Sequence, residues 1–423
     1  MIPPEDRFIG LGKYVIKGPI INHKIKFHAS TFRVVEVINS KLTQEIKGKG
    51  KCLLAVYKPW GLEFRGMLKI ISEKLKVRSS KIDYLGIKDA NSTSVSYILI
   101  PRPFCEGIFR RGEIIKINDI SMSPLSEINL YHHKRRLHIG NLFNIDILIL
   151  DHFSKALVLL RKVSRDINTD LKIPNYYGYQ RFGFRRIYHI LGLKILKKDY
   201  EGFFNTLYFE KFPWFDKPYY KYLEERTEDF KNLSHVNKVT NVDAKLYIAY
   251  QKGIVRDSEL VSFLPRWYKR FLINSLQSYI FNKVLSRRIE LGYPINKCVS
   301  GDYCLINGAI RMSREFEDGV PLIPLIGYSY RPHVDSYLDD MISGVLKELD
   351  LDKSLFYQPD TGIKVFGGFR EAAISFIHPF KYYRSIYDPN RSIKLIFGIK
   401  RGCYATIVLR ELFKPRNPCE QGY

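Results

Sequence analysis

One acidic and one basic residue stand side by side in the stretch YLGIKDANSTSVSY, which covers residues 84–97. Gly86 tolerates backbone angles that other residues avoid, so it can bend the chain just before Lys88 and Asp89. A carboxylate held at such a bend can attack a substrate as a nucleophile. Aspartate is also a common turn-capping residue in polar loops, where it does no chemistry. This stretch alone leaves both interpretations of Asp89 open.

Motifs of several well-known enzyme classes are absent from the chain. It contains no GxxxxGK[ST], no GxGxxG coupled to a strand, no HExxH and no GxSxG. These motifs bind phosphate groups or metal ions, or present an activated serine. The absence of these motifs therefore argues against nucleotide-using enzymes and the standard hydrolases.

The cysteines show no pairing pattern, because none forms a CxxC and none clusters with histidine. They are Cys52, Cys105, Cys298, Cys304, Cys403 and Cys419. We therefore expect neither a zinc site nor a disulfide framework, and a reducing cytoplasm fits this usage.

The chain is strongly basic. It has 68 Lys and Arg residues against 43 Asp and Glu, a net charge of +25. Such a charge favours a polyanionic partner, with nucleic acid as the first candidate, although a lysine-rich composition alone could produce it. Basic and aromatic residues alternate in 131–138, 179–189 and 266–272. This alternation suits RNA, since cations contact phosphates and rings stack on unpaired bases.

The chain has the size and composition of a folded protein of two or three domains, with 423 residues and 45% hydrophobic residues. No apolar run approaches the length of a membrane span. The start, MIPPEDRFIG, carries acids and prolines and does not resemble a signal peptide. We therefore expect a cytoplasmic protein without membrane attachment.

Hydrophobic periodicity predicts an α+β chain that must position these residues. Ser154 is the candidate N-cap of the helix predicted at 154–167. The long helix predicted at 266–291 carries an apolar stripe of Leu272, Leu276, Ile280 and Val284. Its polar stripe, Asn274, Ser278 and Asn282, is assigned to helix packing. The predicted strands are 30–38, 81–89, 95–101 and 143–150, and the predicted helices are 66–77, 154–167 and 266–291.

Five separated motifs resemble the TruD family of tRNA pseudouridine synthases. They occur in the family's order, and the element around NYYGYQRFG (175–183) is the most specific. Tyr177 stands there in place of the family's Phe. The other matches are Lys26, Phe32, Val34 and Glu36; Gly86, Lys88 and Asp89; Ser278, Phe281 and Asn282; and GCYATIVLREL (402–412), in which Arg410 and Glu411 are expected to pair.

The chain departs from the family pattern around Asp89. Ser92, Ser94 and Ser96 replace the usual Ala, Thr and Gln, and Ala90 stands where a basic residue is usual. These positions shape the loop and its RNA contacts, so they concern substrate preference more than chemistry.

The resemblance implies a catalytic role for Asp89. In this family uracil is detached from ribose and rejoined through carbon, with an aspartate that attacks the sugar or removes a sugar proton to give a glycal. The family pattern places Lys26 beside this carboxylate to keep it ionised. Lys88 is its neighbour in sequence, but consecutive strand residues point to opposite faces. Neither a metal nor a small-molecule cofactor is implied.

The resemblance also implies a set of substrate-side residues. Tyr177 would stack on the target uracil, Asn175 would form hydrogen bonds near the Asp89 loop, and Glu36 would orient a Lys or Arg. The full set is Tyr177, Asn175, Glu36, Lys88, Gln180 and Arg181.

The implied architecture is a catalytic core with an inserted domain. The core would be a mixed, largely antiparallel sheet with flanking helices, built from 1–189 and 383–423. Residues 190–382 would form an inserted α/β domain, and the cleft between them would hold folded tRNA. The family acts on uridine 13 of the D-arm, and we expect a monomer.

Two other functions remain open at this stage. One is a non-catalytic RNA-binding or chaperone protein on the same fold, which the altered Asp89 loop suggests. The other is a base-excision glycosylase, which also acts on an extruded base. Isomerisation leaves the mass of the RNA unchanged, whereas a glycosylase removes the base.

Overall fold

The structure, a computed structural model, describes residues 2–41, 51–104, 106, 114–128, 137–226, 242–256 and 259–423. Most of the basic stretch 131–138 lies outside the described residues, as does Cys105.

The strands are short to medium in length and occur mostly in the two ends of the chain. In chain order they are β1 (His23–Lys24), β2 (Phe32–Ile38), β3 (Lys51–Lys58), β4 (Asp83–Tyr84), β5 (Thr93–Pro101), β6 (Ile115–Ile117), β7 (Ile120–Ile128), β8 (His138–Ile149), β9 (Tyr303–Ile306), β10 (Ala309–Met312), β11 (Val320–Leu325), β12 (Tyr357–Gln358), β13 (Ile363–Lys364), β14 (Gly368–Glu371), β15 (Phe376–Arg384) and β16 (Ser392–Lys400).

The α-helices are concentrated in the middle of the chain. They are α1 (Pro4–Phe8), α2 (Phe64–Lys74), α3 (Phe153–Thr169), α4 (Tyr188–Lys197), α5 (Tyr200–Tyr208), α6 (Tyr219–Arg226), α7 (Val242–Gln251), α8 (Leu260–Phe263), α9 (Arg266–Glu290), α10 (Tyr337–Glu348) and α11 (Ala405–Phe413).

Among the described residues, ten strands form one large sheet. Its order is β15-β16-β8-β2-β5-β3-β7-β6, with β1 on β8 and β4 on β5. Strands β2 and β5 run parallel, and the other described pairs of this sheet run antiparallel. The predicted α+β class and the mixed, largely antiparallel sheet are therefore confirmed.

Helices cover this sheet and supply most of its core. The apolar stripe predicted on α9 is buried, and it packs in one cluster with inward residues of β8 and β16, such as Phe143 and Phe397. On the other half of the sheet, Met67 and Ile71 of α2 pack on Leu54 and Ile98. Burial of apolar side chains on this scale is the main favourable term in folding.

Most of the helix and strand predictions hold with shifted ends, but the strand predicted at 81–89 is limited to Asp83–Tyr84. The strand predicted at 143–150 begins earlier, at His138, and the helix predicted at 154–167 is Phe153–Thr169. Ser154 is not its N-cap, because the helix begins one residue earlier and His152, with φ 50°, occupies the cap position. A side-chain preference alone did not fix which residue takes this backbone conformation.

The expectation of no disulfide is wrong. Cys298 and Cys304 are bonded to each other, with their Cα atoms 6.3 Å apart, and Cys52 is disulfide-bonded as well. Residue 298 forms a β-bridge with Glu317 while Cys304 lies in β9. The spacing of the cysteines along the chain did not indicate that Cys298 and Cys304 would form a disulfide.

A second sheet lies inside the predicted insertion. Strands β10, β9, β11 and β14 form it, within residues 303–371. The next strand, β15, pairs with β16 and belongs to the large sheet. The boundaries at 190 and 382 stay a prediction.

No helix among the described residues has both the length and the apolar composition needed to span a bilayer.

A buried charge cluster joins the two ends of the chain. The Arg410 guanidinium contacts Asp6 Oδ2 at 2.7 Å and Glu411 Oε1 at 2.9 Å, and all three side chains are fully buried. Glu411 Oε2 accepts hydrogen bonds from the backbone of Val15 and Ile16. The predicted pairing of Arg410 with Glu411 is thus confirmed.

Arg410→Met should destabilise the fold strongly. It leaves two buried carboxylates without their cation, which typically costs about 3–5 kcal/mol of unfolding free energy. Urea unfolding measures this loss. Arg311→Met is the matched control, because its pair with Glu317 is largely exposed on the Arg side and should cost less than about 1 kcal/mol. Equal losses for the two variants would contradict this role of the cluster.

Candidate active site

Asp89 lies in the loop between β4 and β5, at the edge of a cleft of about 860 Å³. The side chain is exposed, while Lys88 beside it in the same loop is buried. The cleft is also lined by Phe32, Phe143, Tyr177, Gln180, Tyr404 and Thr406. A carboxylate therefore faces a concave site walled by aromatic rings.

Lys58, at the end of β3, anchors the loop that follows Asp89. Its side chain is fully buried, and Nζ donates to the carbonyl oxygens of Ser92 (2.7 Å) and Ala90 (3.3 Å), and of Pro59 and Leu62 (both 3.1 Å). Burial lowers the pKa of Lys58 to about 8, and the charge of Asp89 opposes this shift. Lys58 thus fixes the loop and places a cation within electrostatic range of the carboxylate.

Two further hydrogen bonds hold the same loop. Ser92 Oγ donates to the carbonyl oxygen of Asp89 at 2.8 Å, and the backbone N–H of Gly61 donates to that of Ala90 at 2.9 Å. Ser92 is one of the residues that depart from the family pattern. Here its hydroxyl serves the backbone of the loop.

Glu36 and Lys88 form a buried ion pair beneath the bend. Lys88 Nζ contacts Glu36 Oε1 at 2.5 Å, and Glu36 Oε2 accepts from the backbone N–H of Tyr97 at 2.7 Å. Gly86 packs directly on this pair, since a Cβ there would lie 2.9 Å from both Glu36 Oε1 and Lys88 Nζ. This fits the predicted orienting role of Glu36, and it gives Gly86 a packing role beside the predicted bend.

Lys26 lies within electrostatic range of Asp89 without touching it. No hydrogen bond or ion pair joins the two in the described part of the chain. Burial lowers the pKa of Lys26, Asp89 acts in the opposite direction, and Arg186 adds to the lowering. Its Nζ lies 5.0 Å from the centre of the Phe32 ring. Lys26 is not among the residues that line the cleft, and its predicted role beside Asp89 stays a prediction.

Tyr177 is held in the cleft wall by its backbone. Asn282 of α9 accepts from the Tyr177 N–H at 2.8 Å and donates to its carbonyl at 3.1 Å. The ring is half-buried, its edge contacts Phe281, and the guanidinium carbon of Arg370 lies 4.0 Å from its centre. The polar stripe of α9 thus serves packing, as predicted, and through it fixes the aromatic wall of the cleft.

The motifs at 175–183 and 402–412 interlock. Gly178 approaches the start of α11 so closely that a Cβ would lie 2.8 Å from Tyr404 Cδ1 and 2.9 Å from Thr406 Oγ1. Thr406 Oγ1 donates to Gln180 Oε1 at 3.1 Å. Motifs more than two hundred residues apart in sequence therefore form one wall.

Asn175 and Arg181 do not line the cleft. Asn175 is buried against β14, where Oδ1 accepts from Arg370 at 2.7 Å and Nδ2 donates to the Glu371 carbonyl at 3.0 Å. It is therefore not placed beside the Asp89 loop, as the sequence suggested. Arg181 Nε donates to Ser278 Oγ at 3.0 Å, which attaches the motif to α9.

Several residues of the site were not predicted from the sequence. His138 and Arg401 line the cleft, and burial lowers the pKa of His138, so its neutral form is favoured. Lys58, Arg370 and Arg401 belong to none of the motif positions used above. Only the alternation of cations with aromatic residues could have pointed to them, and it occurs at many other places.

The described residues contain no group of three or more His, Cys, Asp or Glu side chains that could hold a metal ion.

Known proteins of one family match this chain over nearly its full length. A family model described as tRNA pseudouridine synthase D (TruD) matches residues 8–412. A protein of Pyrococcus furiosus named probable tRNA pseudouridine synthase D is 30% identical over 437 residues, covering 96% of this chain and 99% of the relative. One of Pyrobaculum islandicum with the same name is 25% identical over 444 residues, covering 100% and 99%.

The fold also has a solved counterpart. The crystal structure of the putative tRNA pseudouridine synthase D from Methanosarcina mazei matches with a TM-score of 0.69 and 24% identity, covering 99% of each chain. By class the protein is thus a pseudouridine synthase, an isomerase. Within that class it belongs to the tRNA pseudouridine synthase D family, as the match over residues 8–412 shows.

Gly86→Ala should disrupt the ion pair beneath the catalytic loop. The added methyl group forces Glu36 and Lys88 to move, and overpacking of this kind costs about 1–3 kcal/mol of unfolding free energy. Gly368→Ala is the matched control, since a Cβ there meets nothing within 4 Å. Denaturant unfolding of both variants tests this, and an unchanged stability of Gly86→Ala would show that the pair yields without cost.

Proposed function

We propose that this protein converts a uridine of tRNA to pseudouridine, with the Asp89 carboxylate as the catalytic group. The observation that carries the proposal is the position of Asp89, exposed at a cleft that Tyr177 also lines and within electrostatic range of Lys26 and Lys58. A cation near a carboxylate favours its charged form. The carboxylate can then act when RNA closes the cleft and excludes water.

The reaction exchanges one bond to the sugar for another. The bond between C1′ and N1 breaks, a bond between C1′ and C5 forms, and the hydrogen on C5 is replaced by one on N1. Asp89 acts on the sugar, either by attack at C1′ or by removal of a sugar proton to give a glycal. Either route needs the uridine turned out of its helix or loop, at a cost of about a few kcal/mol.

Tyr177 is proposed as the platform for the target base. One face of its ring is occupied by Arg370, and the residue lines the same cleft as Asp89. Stacking of a base on such a ring contributes about 1–3 kcal/mol. The cation behind the ring adds positive potential to the site.

The substrate is proposed to be tRNA, with uridine 13 of the D-arm as the first position to test. The net charge of +25 supports a polyanionic substrate. The named relatives carry tRNA pseudouridine synthase in their names. We further propose that the protein works as a monomer in the cytoplasm.

Asp89→Asn should abolish pseudouridine formation while tRNA affinity and stability stay close to those of the parent protein. The side chain is exposed, so its replacement opens no core cavity, and loss of a catalytic nucleophile typically costs on the order of 10⁴-fold or more in rate. Single-turnover conversion of tRNA, tRNA binding and melting temperature are measured on the same sample.

The exposed Asp119, in the turn between β6 and β7, supplies the control for Asp89→Asn. Asp119→Asn should keep the full rate. If Asp89→Asn retained activity and lost only stability, Asp89 would be a turn cap. Nucleoside analysis of the product RNA also separates isomerisation from removal of the base and from simple binding.

Tyr177→Phe should retain most of the activity, whereas Tyr177→Leu should weaken it by the loss of stacking, about 1–3 kcal/mol. Both variants keep the apolar contact with Phe281, so stability should change less than activity. The ratio of single-turnover rate to tRNA affinity is compared for the two. Loss of activity in Tyr177→Phe would instead give the hydroxyl group a chemical role.

A further inference from the structure

A second cavity, of about 320 Å³, adjoins the catalytic cleft. We call it the side cavity. Leu305, Ile310, Leu322 and Phe369 of the second sheet form its apolar wall, and Arg370, Lys400 and Arg401 contribute cations. Arg401 and Cys403 line the side cavity and the catalytic cleft alike. The two spaces are therefore neighbours that share a wall.

The shared wall carries positive charge that no carboxylate neutralises. Arg401 is exposed, and its guanidinium has no hydrogen-bond or ion-pair partner among the described residues. Arg370 donates to the backbone and side-chain oxygens of Asn175, which are neutral acceptors. Glu371 is already paired with Lys400. Arg401 thus lines both spaces with a charge that no described side chain pairs, and Arg370 adds a second cation to the side cavity.

The far wall offers an aromatic surface. Phe369 is 43% exposed, and one side of its ring contacts Tyr303, with ring centres 5.1 Å apart. Ile310 beside it is 49% exposed. An exposed ring next to unpaired cations is the combination that binds a base and its phosphate together.

We propose that the side cavity binds the nucleotide next to the target uridine. Arg401 contacts the phosphate that joins the two nucleotides, and Phe369 stacks on the neighbouring base. Extrusion of the target uridine removes a stacking partner from that neighbour, and Phe369 replaces it. This inference rests on the proposed function, and it adds a second base contact that favours particular sequences or loop shapes around the target.

The first experiment measures tRNA binding across a range of salt concentrations. Arg401→Gln should reduce the steepness of the plot of log affinity against log salt by about 0.7–0.9, the share of one phosphate. Phe369→Leu keeps the apolar packing and should weaken binding roughly tenfold through lost stacking. The controls are Arg161→Gln and Phe316→Leu, both exposed and outside the two cavities. Unchanged binding in Arg401→Gln or Phe369→Leu overturns the proposal.

The second experiment removes the neighbouring base from the RNA. In tRNA with an abasic residue on the 5′ or the 3′ side of the modified uridine, the parent protein should bind roughly tenfold more weakly on one of the two sides. Phe369→Leu should show little further loss on that side, because the contact is already absent. Full additivity of the two changes, or no effect on either side, overturns the proposal.

The two proposals fail in different ways. If wild-type protein forms pseudouridine but neither abasic residue alters binding, the side cavity does not hold the neighbour and the enzymatic function stands. If no tRNA is modified, the proposed function fails. The comparison of Arg401→Gln and Phe369→Leu with their controls still shows whether the side cavity binds RNA, because binding needs no turnover.

Discussion

The buried charge cluster around Arg410 is the constraint on which the cleft depends. Its guanidinium meets Asp6 and Glu411, and Tyr179 of the most specific motif donates to Asp6 Oδ1 at 2.7 Å. These contacts join the N-terminal segment, the motif at 175–183 and the last helix. Buried ion pairs often add little net stability over apolar packing, but an unpaired buried charge is costly. The cluster thus disfavours any packing that separates these three segments.

The catalytic loop shows how cations can be distributed around one carboxylate. Three lysines lie in its neighbourhood, and each has a different relation to it. Lys88 forms an ion pair with Glu36. Lys58 donates hydrogen bonds to four carbonyl oxygens, and Lys26 interacts with Asp89 only electrostatically, through space. Burial disfavours the charged form of Lys26 and of Lys58, whereas the negative charge of Asp89 favours it. The Asp89 carboxylate itself is exposed and lines the cleft.

Sequence patterns identified the parts of the site that depend on residue type. Asp89, Tyr177 and the pairing of Arg410 with Glu411 could be predicted because each belongs to a motif or to an adjacent pair. The apolar stripe of α9 could be predicted because helical periodicity determines which residues share a face. Asn175 was assigned to the wrong neighbourhood, since a motif gives the order of residues and not the direction of a side chain.

The residues that sequence patterns missed are defined by long-range contacts. Lys58 matters because four carbonyl oxygens converge on it, and these come from two separate loops. Arg370 and Arg401 matter because β14 and the segment after β16 meet beside the Tyr177 ring. The bond between Cys298 and Cys304 joins residues only six apart, but it matches none of the cysteine spacings that signal a bridge. None of these contacts leaves a periodic signal in one chain.

The pairing of β8 with β16 has a consequence for how the molecule assembles. Ile149 ends the first strand and Ser392 begins the second, so about 240 residues separate the partners. Closing so long a loop adds only modestly to the entropy cost, since each doubling of length costs about 0.6 kcal/mol. The effect on rate is larger, because topologies dominated by distant contacts fold slowly. During synthesis, the first half of the sheet must wait with β8 unpaired on one edge until the final strands leave the ribosome. The unpaired N–H and C=O groups of β8 can then pair with strands of other chains. A helix that covers this edge early would prevent such pairing.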